Sequence, residues 1–139
     1  MIFVPKKSKF KKQNKGKKFN RITSKNHNLF NLNYGVIALK SIQHGKINSK
    51  QLQTLIQLIN KRIKKKGKIK LNIFPDTPIT NKPTEARMGK GKGNVCSWVS
   101  KIKSGTIICE VETSLISLAK KVLRLVQIRL PLNTKIVFE

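Results

Sequence analysis

Acidic residues are scarce in this chain of 139 residues, which has 5 Asp+Glu against 31 Lys+Arg and a formal net charge of +26. General acid–base catalysis needs a positioned carboxylate or histidine, and magnesium-dependent chemistry needs clustered acids. The candidates are scattered: Asp76, Glu85, Glu110, Glu112, Glu139, His27 and His44. We therefore expect no enzyme, metal site or cofactor. We expect the carboxylates to be local ion-pair partners and the two histidines to be solvated or to contact phosphate.

Cysteines and long apolar runs are also few. Cys96 and Cys109 cannot build a zinc ribbon or a disulfide framework, and we expect two small, reduced core residues. Apolar runs such as residues 115–119 are far shorter than the roughly 18 residues of a membrane span. The N-terminal segment has no apolar core of a signal peptide, so we expect neither a targeting peptide nor a membrane partner.

Positive charge is what the chain has in excess. A fold with this charge repels itself unless a polyanion neutralises it, which favours nucleic acid as the partner. Residues 1–33 have cations at nearly every second position near their start and little apolar surface, which predicts a basic arm that becomes ordered on RNA. Phe3, Phe10, Phe19 and Phe30 are expected to anchor it to the domain surface.

Residues 34–139 are predicted to form one α+β domain. The pattern indicates a strand at 34–42, a turn at 44–45, and a helix at 50–66 that begins after a cap at Asn48 or Ser49 and ends at a left-handed Gly67. Its expected buried stripe is Leu52, Leu55, Ile56, Ile59 and Ile63.

An alternating strand is predicted at 68–74, with its lysines on a wet face, and a long functional loop at 75–94. Strands 95–103 and 106–112 are expected to pair as a hairpin, with Cys96 opposite Thr113 and Cys109 opposite Ser100. A second helix starts after Thr113 or Ser114, buries Leu115, Leu118, Ala119, Val122 and Val126, and runs to about 130. A last strand follows at 134–138, so two helices pack on a small mixed or antiparallel sheet.

The segment RMGKGKGN at residues 87–94 does not fit a nucleotide site. A Walker loop fails because Gly93 follows Lys92 and Ala86 stands at the place of the first glycine. A dinucleotide fingerprint fails because Asn94 replaces the third glycine and a strand follows. Glycines that let the backbone approach a phosphate, together with Arg87, Lys90 and Lys92, indicate RNA binding, and a flexible linker is the alternative.

A second group of cations lies at the end of the first helix and on the wet face of the following strand. Helix dipoles favour cations at that end, and phosphates would neutralise them. The predicted RNA-binding residues of this group are Lys61, Arg62, Lys64, Lys65, Lys66, Lys68 and Lys70.

Residues 74–111, FPDTPITNKPTEARMGKGKGNVCSWVSKIKSGTIICEV, closely resemble the bacterial-type large-subunit ribosomal protein L sixteen family. The hallmark run of that family reads like FPDKPIT-x-KP-x-x-x-RMGKGKGN, followed by a tryptophan strand. The opening PKKSKFKKQNKGK at 5–17 is similar to the family's P-K-R-T-K-F-R-K-x-x-K-G. The resemblance extends to residue 131 and so covers nearly the whole chain.

The resemblance implies an α/β-hammerhead type fold and a structural role in the large ribosomal subunit. It implies contacts with large-subunit rRNA, with tRNA at the A and P sites and with neighbouring ribosomal proteins, near a peptidyl transferase centre made of RNA. It places Arg87, Met88, Gly89, Lys90, Gly91, Lys92 and Gly93 at a loop tip close to that centre. The implied arm contacts to RNA or tRNA are Lys6, Lys7, Lys9, Lys11, Lys12, Lys15 and Lys17.

Codon-dependent composition bears on the compartment. Lysine far outnumbers arginine, asparagine and isoleucine are abundant, and alanine occurs only at 38, 86 and 119, which suggests an AT-rich genome. We expect an organelle-encoded protein of the mitochondrial matrix ribosome, with the cytoplasm of an AT-rich bacterium as the alternative. A free nucleic-acid-binding protein or RNA chaperone is the alternative function.

Overall fold

The structure is a computed structural model that describes residues 3–14, 32–89 and 91–138. Two helices pack with two antiparallel sheets, so the predicted α+β class is confirmed. In chain order the elements are β1 (Ile37–Ser41), β2 (Gly45–Asn48), α1 (Ser49–Ile63), β3 (Gly67–Leu71), β4 (Thr77–Asn81), β5 (Asn94–Ile102), β6 (Ile107–Thr113), α2 (Ile116–Arg129) and β7 (Thr134–Phe138). Within these residues no helix is long and apolar enough to cross a bilayer.

The strands form two sheets and not the single sheet that was predicted. The larger has the order β3-β6-β1-β7 and the smaller the order β2-β5-β4. Strands β5 and β6 lie in different sheets, so the predicted hairpin between them is wrong, although the tight turn at Ser104 and Gly105 does join them. That turn is bonded to the end of β1: the Gly105 N–H donates to the Ser41 carbonyl at 2.8 Å, and the Ser41 N–H donates to the Thr106 carbonyl at 2.9 Å. The chain therefore crosses from one sheet to the other at this turn.

The cysteine positions change with this topology. Cys109 is fully buried opposite Leu39 and Leu71 in the larger sheet, whereas Cys96 is exposed on β5. The predicted facing of Cys96 with Thr113 and of Cys109 with Ser100 does not occur. The expectation of a core thiol is right for Cys109 and wrong for Cys96.

The core is formed by the two helices, by strands β1 and β6 of the larger sheet and by strands β2 and β5 of the smaller sheet. Helix α1 buries Leu52, Leu55, Ile59 and Ile63 as predicted, while Ile56 is half-buried. Helix α2 buries Ala119, Val122, Leu123 and Val126. Leu115 was predicted to join them but is 39% exposed, because α2 begins one residue later and its first turn faces solvent.

The end of α1 differs from the prediction. The helix ends at Ile63 and is followed by a 3-10 turn, Lys64–Lys66, in which Lys64 takes the positive φ of 53°. Gly67 has an extended φ of −172° and begins β3. It is required for space, since a Cβ there would lie 2.6 Å from the Glu112 carbonyl oxygen. At the other end, Asn48 precedes the helix as expected, and its N–H donates to Gln51 Oε1 at 2.9 Å.

Two strands lie where the sequence predicts a turn and a loop. Strand β2 occupies part of the predicted turn, and β4 lies inside the predicted loop at 75–94. The prolines of residues 75–94 predicted a loop. However, β4 is an edge strand, where a residue without a backbone N–H is tolerated. Pro78 lies opposite Trp98 in this strand pair.

Candidate nucleic-acid interface

The glycine-rich segment is the tip of a β-hairpin. Strands β4 and β5 pair with Asn81 opposite Asn94, so residues 82–93 form the connection. The tip is shaped by a bond from the Ala86 N–H to the Pro83 carbonyl at 3.1 Å and by a bond from Lys82 Nζ to the Gly89 carbonyl at 2.5 Å. Its residues enclose an open cavity of about 450 Å³. A sheet of the domain therefore carries the tip, although the described residues between β4 and β5 form neither helix nor strand.

The glycines of the tip have two different reasons to be glycine. Gly89 and Gly91 have φ angles of 94° and 79°, which side-chain-bearing residues rarely adopt, and a Cβ on either would meet nothing within 4 Å. At Gly93 the φ angle does not require glycine. A Cβ there would lie 2.3 Å from the Asn81 carbonyl oxygen, so only glycine lets the two hairpin strands approach at the base of the tip.

Several side chains of the tip are exposed to solvent. Met88 is 100% exposed, and Arg87 and Lys92 are exposed beside it. Lys90 lies outside the described residues. A backbone shaped by glycine that presents unburied cations can make close, charge-assisted contacts with phosphate.

The N-terminal arm meets the tip. Lys12 Nζ donates to the Lys92 carbonyl at 2.8 Å, and Lys92 Nζ donates in return to the Gln13 carbonyl. Phe3 packs against the core, as expected of an anchor, whereas Phe10 is 65% exposed with Lys9 Nζ 5.7 Å from its ring. Residues 80 positions apart thus form one cationic surface, a meeting that the sequence did not predict.

Only some of the predicted arm residues lie in the part of the chain that the structure describes. Lys6, Lys7, Lys9 and Lys11 are exposed, as Lys12 is. The described residues do not include Lys15, Lys17, Phe19, Phe30 or His27.

The second predicted group lies at the C-terminal end of α1, in the 3-10 turn that follows it and on β3. The side chains of Lys61, Arg62, Lys64, Lys66, Lys68 and Lys70 are exposed, and that of Lys65 is not described. The alternation predicted for β3 is confirmed, with Lys68 and Lys70 on the face opposite the half-buried Ile69 and Leu71.

Glu110 is a buried carboxylate that the sequence did not predict. It is 1% exposed, and Oε2 accepts the backbone N–H groups of Asn33, Tyr34 and Gly35 at 3.2, 2.8 and 3.1 Å. Asn72 Nδ2 donates to Oε1 at 2.5 Å. These four donors are neutral, so the expected ion pair is replaced by a carboxylate that ties the root of the arm to the sheet. The signal available in the sequence was an acid in the middle of the apolar strand TIICEVE.

The same contacts set the ionisation of Glu110. Burial by itself would raise the pKa of the carboxyl group, but the hydrogen bonds from Asn72 and from the N–H groups of Tyr34, Asn33 and Gly35 outweigh it and lower the pKa below its usual value. The group is thus a structural anion at neutral pH. Burial raises the pKa of the Cys109 thiol to about 12, so this thiol stays protonated and unreactive.

His44 has a local role in the described structure. Its ring is exposed, and Nδ1 accepts the Ser104 N–H at 3.1 Å, while Ser104 Oγ donates to the Ile42 carbonyl at 2.6 Å. The side chain therefore helps to hold the turn between β5 and β6. Among the described residues no group of three or more His, Cys, Asp or Glu side chains could hold a metal ion.

Comparison with known proteins decides the family. The family model described as ribosomal protein L16p/L10e matches residues 5–137. The chain belongs to this family. It is also 44% identical over 138 residues to the large ribosomal subunit protein uL16c of Euglena longa, and the match covers 99% of each chain. The predicted bacterial-type family and its organellar type are confirmed, and the protein is a structural constituent of the large ribosomal subunit and not an enzyme.

Proposed function

We propose that the chain binds large-subunit rRNA beside the A-site tRNA and the peptidyl transferase centre, and that it supports the positioning of tRNA there. The hairpin tip and residues 1–33 would carry the contacts, with residues 34–139 as the domain that presents them. The observation that supports this most is the pair of hydrogen bonds from Lys12 Nζ to the Lys92 carbonyl and from Lys92 Nζ to the Gln13 carbonyl, which joins arm and tip into one surface.

The chemistry of that surface fits a polyanion that is approached closely. Gly89 and Gly91 keep the backbone free of side chains, and Arg87 and Lys92 supply charge at the same place. Each phosphate that is neutralised releases counterions, and this gives a slope of log affinity on log salt of about −0.7 to −0.9 per contact. Phosphate contacts of this kind hold and orient RNA without reading its sequence.

The experiment compares two double variants in reconstituted or in vivo assembled large subunits. Lys90→Ala with Lys92→Ala removes two charges from the tip. Lys46→Ala with Lys101→Ala is the matched control, because these exposed lysines face each other across β2 and β5, away from the tip. We expect the tip variant to lower tRNA-dependent peptide formation per particle more than it lowers assembly.

Two outcomes would oppose the proposal. Loss of assembled subunits with normal activity per particle would assign the tip to assembly. Protein that stays at the top of a sedimentation gradient at moderate salt would mean that it acts free of the ribosome.

The compartment is a separate prediction. The protein is of the organellar type, and we propose the mitochondrial ribosome. Separation of the organelles, followed by detection of this chain in their large subunits, tests it. Its presence in the ribosome of another organelle alone would contradict it.

A further inference from the structure

A cavity next to Tyr34 lies outside the hairpin tip and the described arm. It has a volume of about 280 Å³ at the β3 edge of the larger sheet, and its lining includes Tyr34, Lys68, Lys70 and Glu112. An open groove of about 440 Å³ shares Lys68 and Glu112 with it and adds Lys66. An aromatic ring, cations and an exposed acid thus meet at one sheet edge.

Tyr34 has the properties of a stacking platform. Its side chain is 64% exposed, and the Lys70 ammonium group lies over the ring. Its backbone is fixed because Glu110 Oε2 accepts the N–H groups of Tyr34 and Gly35. Unpaired RNA bases stack on aromatic rings held in this way.

The Glu112 carboxylate favours a ligand that can donate a hydrogen bond to it. The Glu112 side chain is exposed opposite Lys68, and within the described part of the chain the carboxylate has no hydrogen-bond or ion-pair partner. A carboxylate repels phosphate. On a surface that binds RNA it is therefore better suited to accept a hydrogen bond from a base. The exocyclic amino groups of adenine, cytosine and guanine are such donors, whereas uracil has no amino group and offers only its ring N3–H.

We propose that Tyr34 and Glu112 bind one unpaired, amino-bearing base of large-subunit rRNA, and that Lys66 and Lys68 contact the phosphate beside it. This inference rests on the proposed rRNA binding and names a second contact for it. The base stacks on the exposed ring of Tyr34 and donates to the Glu112 carboxylate. Glu110 is the positioning residue, because it holds the backbone of the ring and touches no RNA.

The first test measures the affinity of the full-length protein for protein-free large-subunit rRNA over a series of salt concentrations. Tyr34→Leu removes the ring, and we expect roughly 5- to 150-fold weaker binding with an unchanged salt slope, since stacking is not ionic. Tyr34→Phe keeps the ring and should stay within about twofold of the unmodified protein. Lys68→Ala should instead reduce the salt slope by about 0.7 to 0.9.

The matched control is Phe138→Leu. Phe138 is 43% exposed at the opposite edge strand, with Lys120 Nζ 5.4 Å from its ring, so it offers a cation-covered aromatic ring without this acid. We expect it to bind as the unmodified protein does. Equal losses for Tyr34→Leu and Phe138→Leu, or no loss for Tyr34→Leu, would overturn the inference.

The two proposals fail in different ways. If the unmodified protein does not bind the rRNA, the proposed function fails. If it binds and Lys92→Ala weakens it while Tyr34→Leu does not, the function stands and the base site is wrong.

The second test identifies the base. Tyr34 is the only tyrosine, so the formation of iodotyrosine reports this one site. We expect the ring to react in the free protein and to be protected in the assembled subunit, and ultraviolet cross-linking to join it to A, C or G. A cross-link to U, or full reactivity in the subunit, would overturn the proposal.

Discussion

Replacement of Glu110 by alanine should destabilise the domain by about 2–6 kcal/mol, because two buried or half-buried donors each lose their acceptor at a cost of about 1–3 kcal/mol. The variant removes four hydrogen bonds from a side chain that is 1% exposed. Gly35 and Asn72 carry most of the effect. The Gly35 N–H is buried, and the Asn72 amide has Oε1 as its acceptor, so each loses a partner at a cost of about 1–3 kcal/mol. The N–H groups of Asn33 and Tyr34 are nearer to solvent and regain part of their bonding from water.

The assay is urea unfolding of the full-length protein. We expect the midpoint to fall with little change in slope, because the folded surface is the same. Glu112→Ala is the control, since this residue lies two positions further on the same strand and is exposed, and it should change stability by no more than about 0.5 kcal/mol. Glu110→Gln should lie between the two, because one oxygen still accepts and the Asn72 amide can turn. If Glu110→Ala costs no more than Glu112→Ala, the role assigned to the carboxylate is wrong.

Three further predictions follow from the described contacts. Because the pKa of Glu110 is lowered from 4.5, its contribution to stability is complete above that value and is lost as pH falls through the folded pKa, so acid unfolding of Glu110→Gln should show a weaker pH dependence. Gly93→Ala should cost about 1–3 kcal/mol and increase hydrogen exchange at the ends of β4 and β5, whereas Gly91→Ala should alter the tip alone; equal exchange in the two would contradict the clash at Asn81. Leu123→Ala should cost about 2–5 kcal/mol in thermal or urea unfolding, and Leu125→Ala, which starts 40% exposed, well under half of that.

Local patterns in the sequence predicted local structure well. The helix stripe at 52, 55, 59 and 63 and the alternation of β3 followed directly from side-chain periodicity. The topology could not be read in this way. The strands on either side of the Ser104 turn pair with different sheets, because partners are set by contacts with β1 and β2 and not by the turn itself.

In the candidate interface, too, single residues could be predicted from local sequence, but contacts between distant segments could not. Arg87 and Lys92 could be named from the motif, since cations among glycines are visible in the letters. Their junction with Lys12 depends on two segments 80 residues apart, and the buried Glu110 depends on a fold that brings residues 33–35 to β6. Such contacts appear only when the chain is folded.

The central claim is that the hairpin tip lies close to the peptidyl transferase centre of the ribosome. Cross-linking from residues 87–93 in the intact large subunit, with tRNA bound at the A site, measures this directly. We expect cross-links to rRNA around the peptidyl transferase centre and to the acceptor end of the tRNA. Cross-links confined to neighbouring proteins, or to rRNA remote from that centre, would contradict the proposed function.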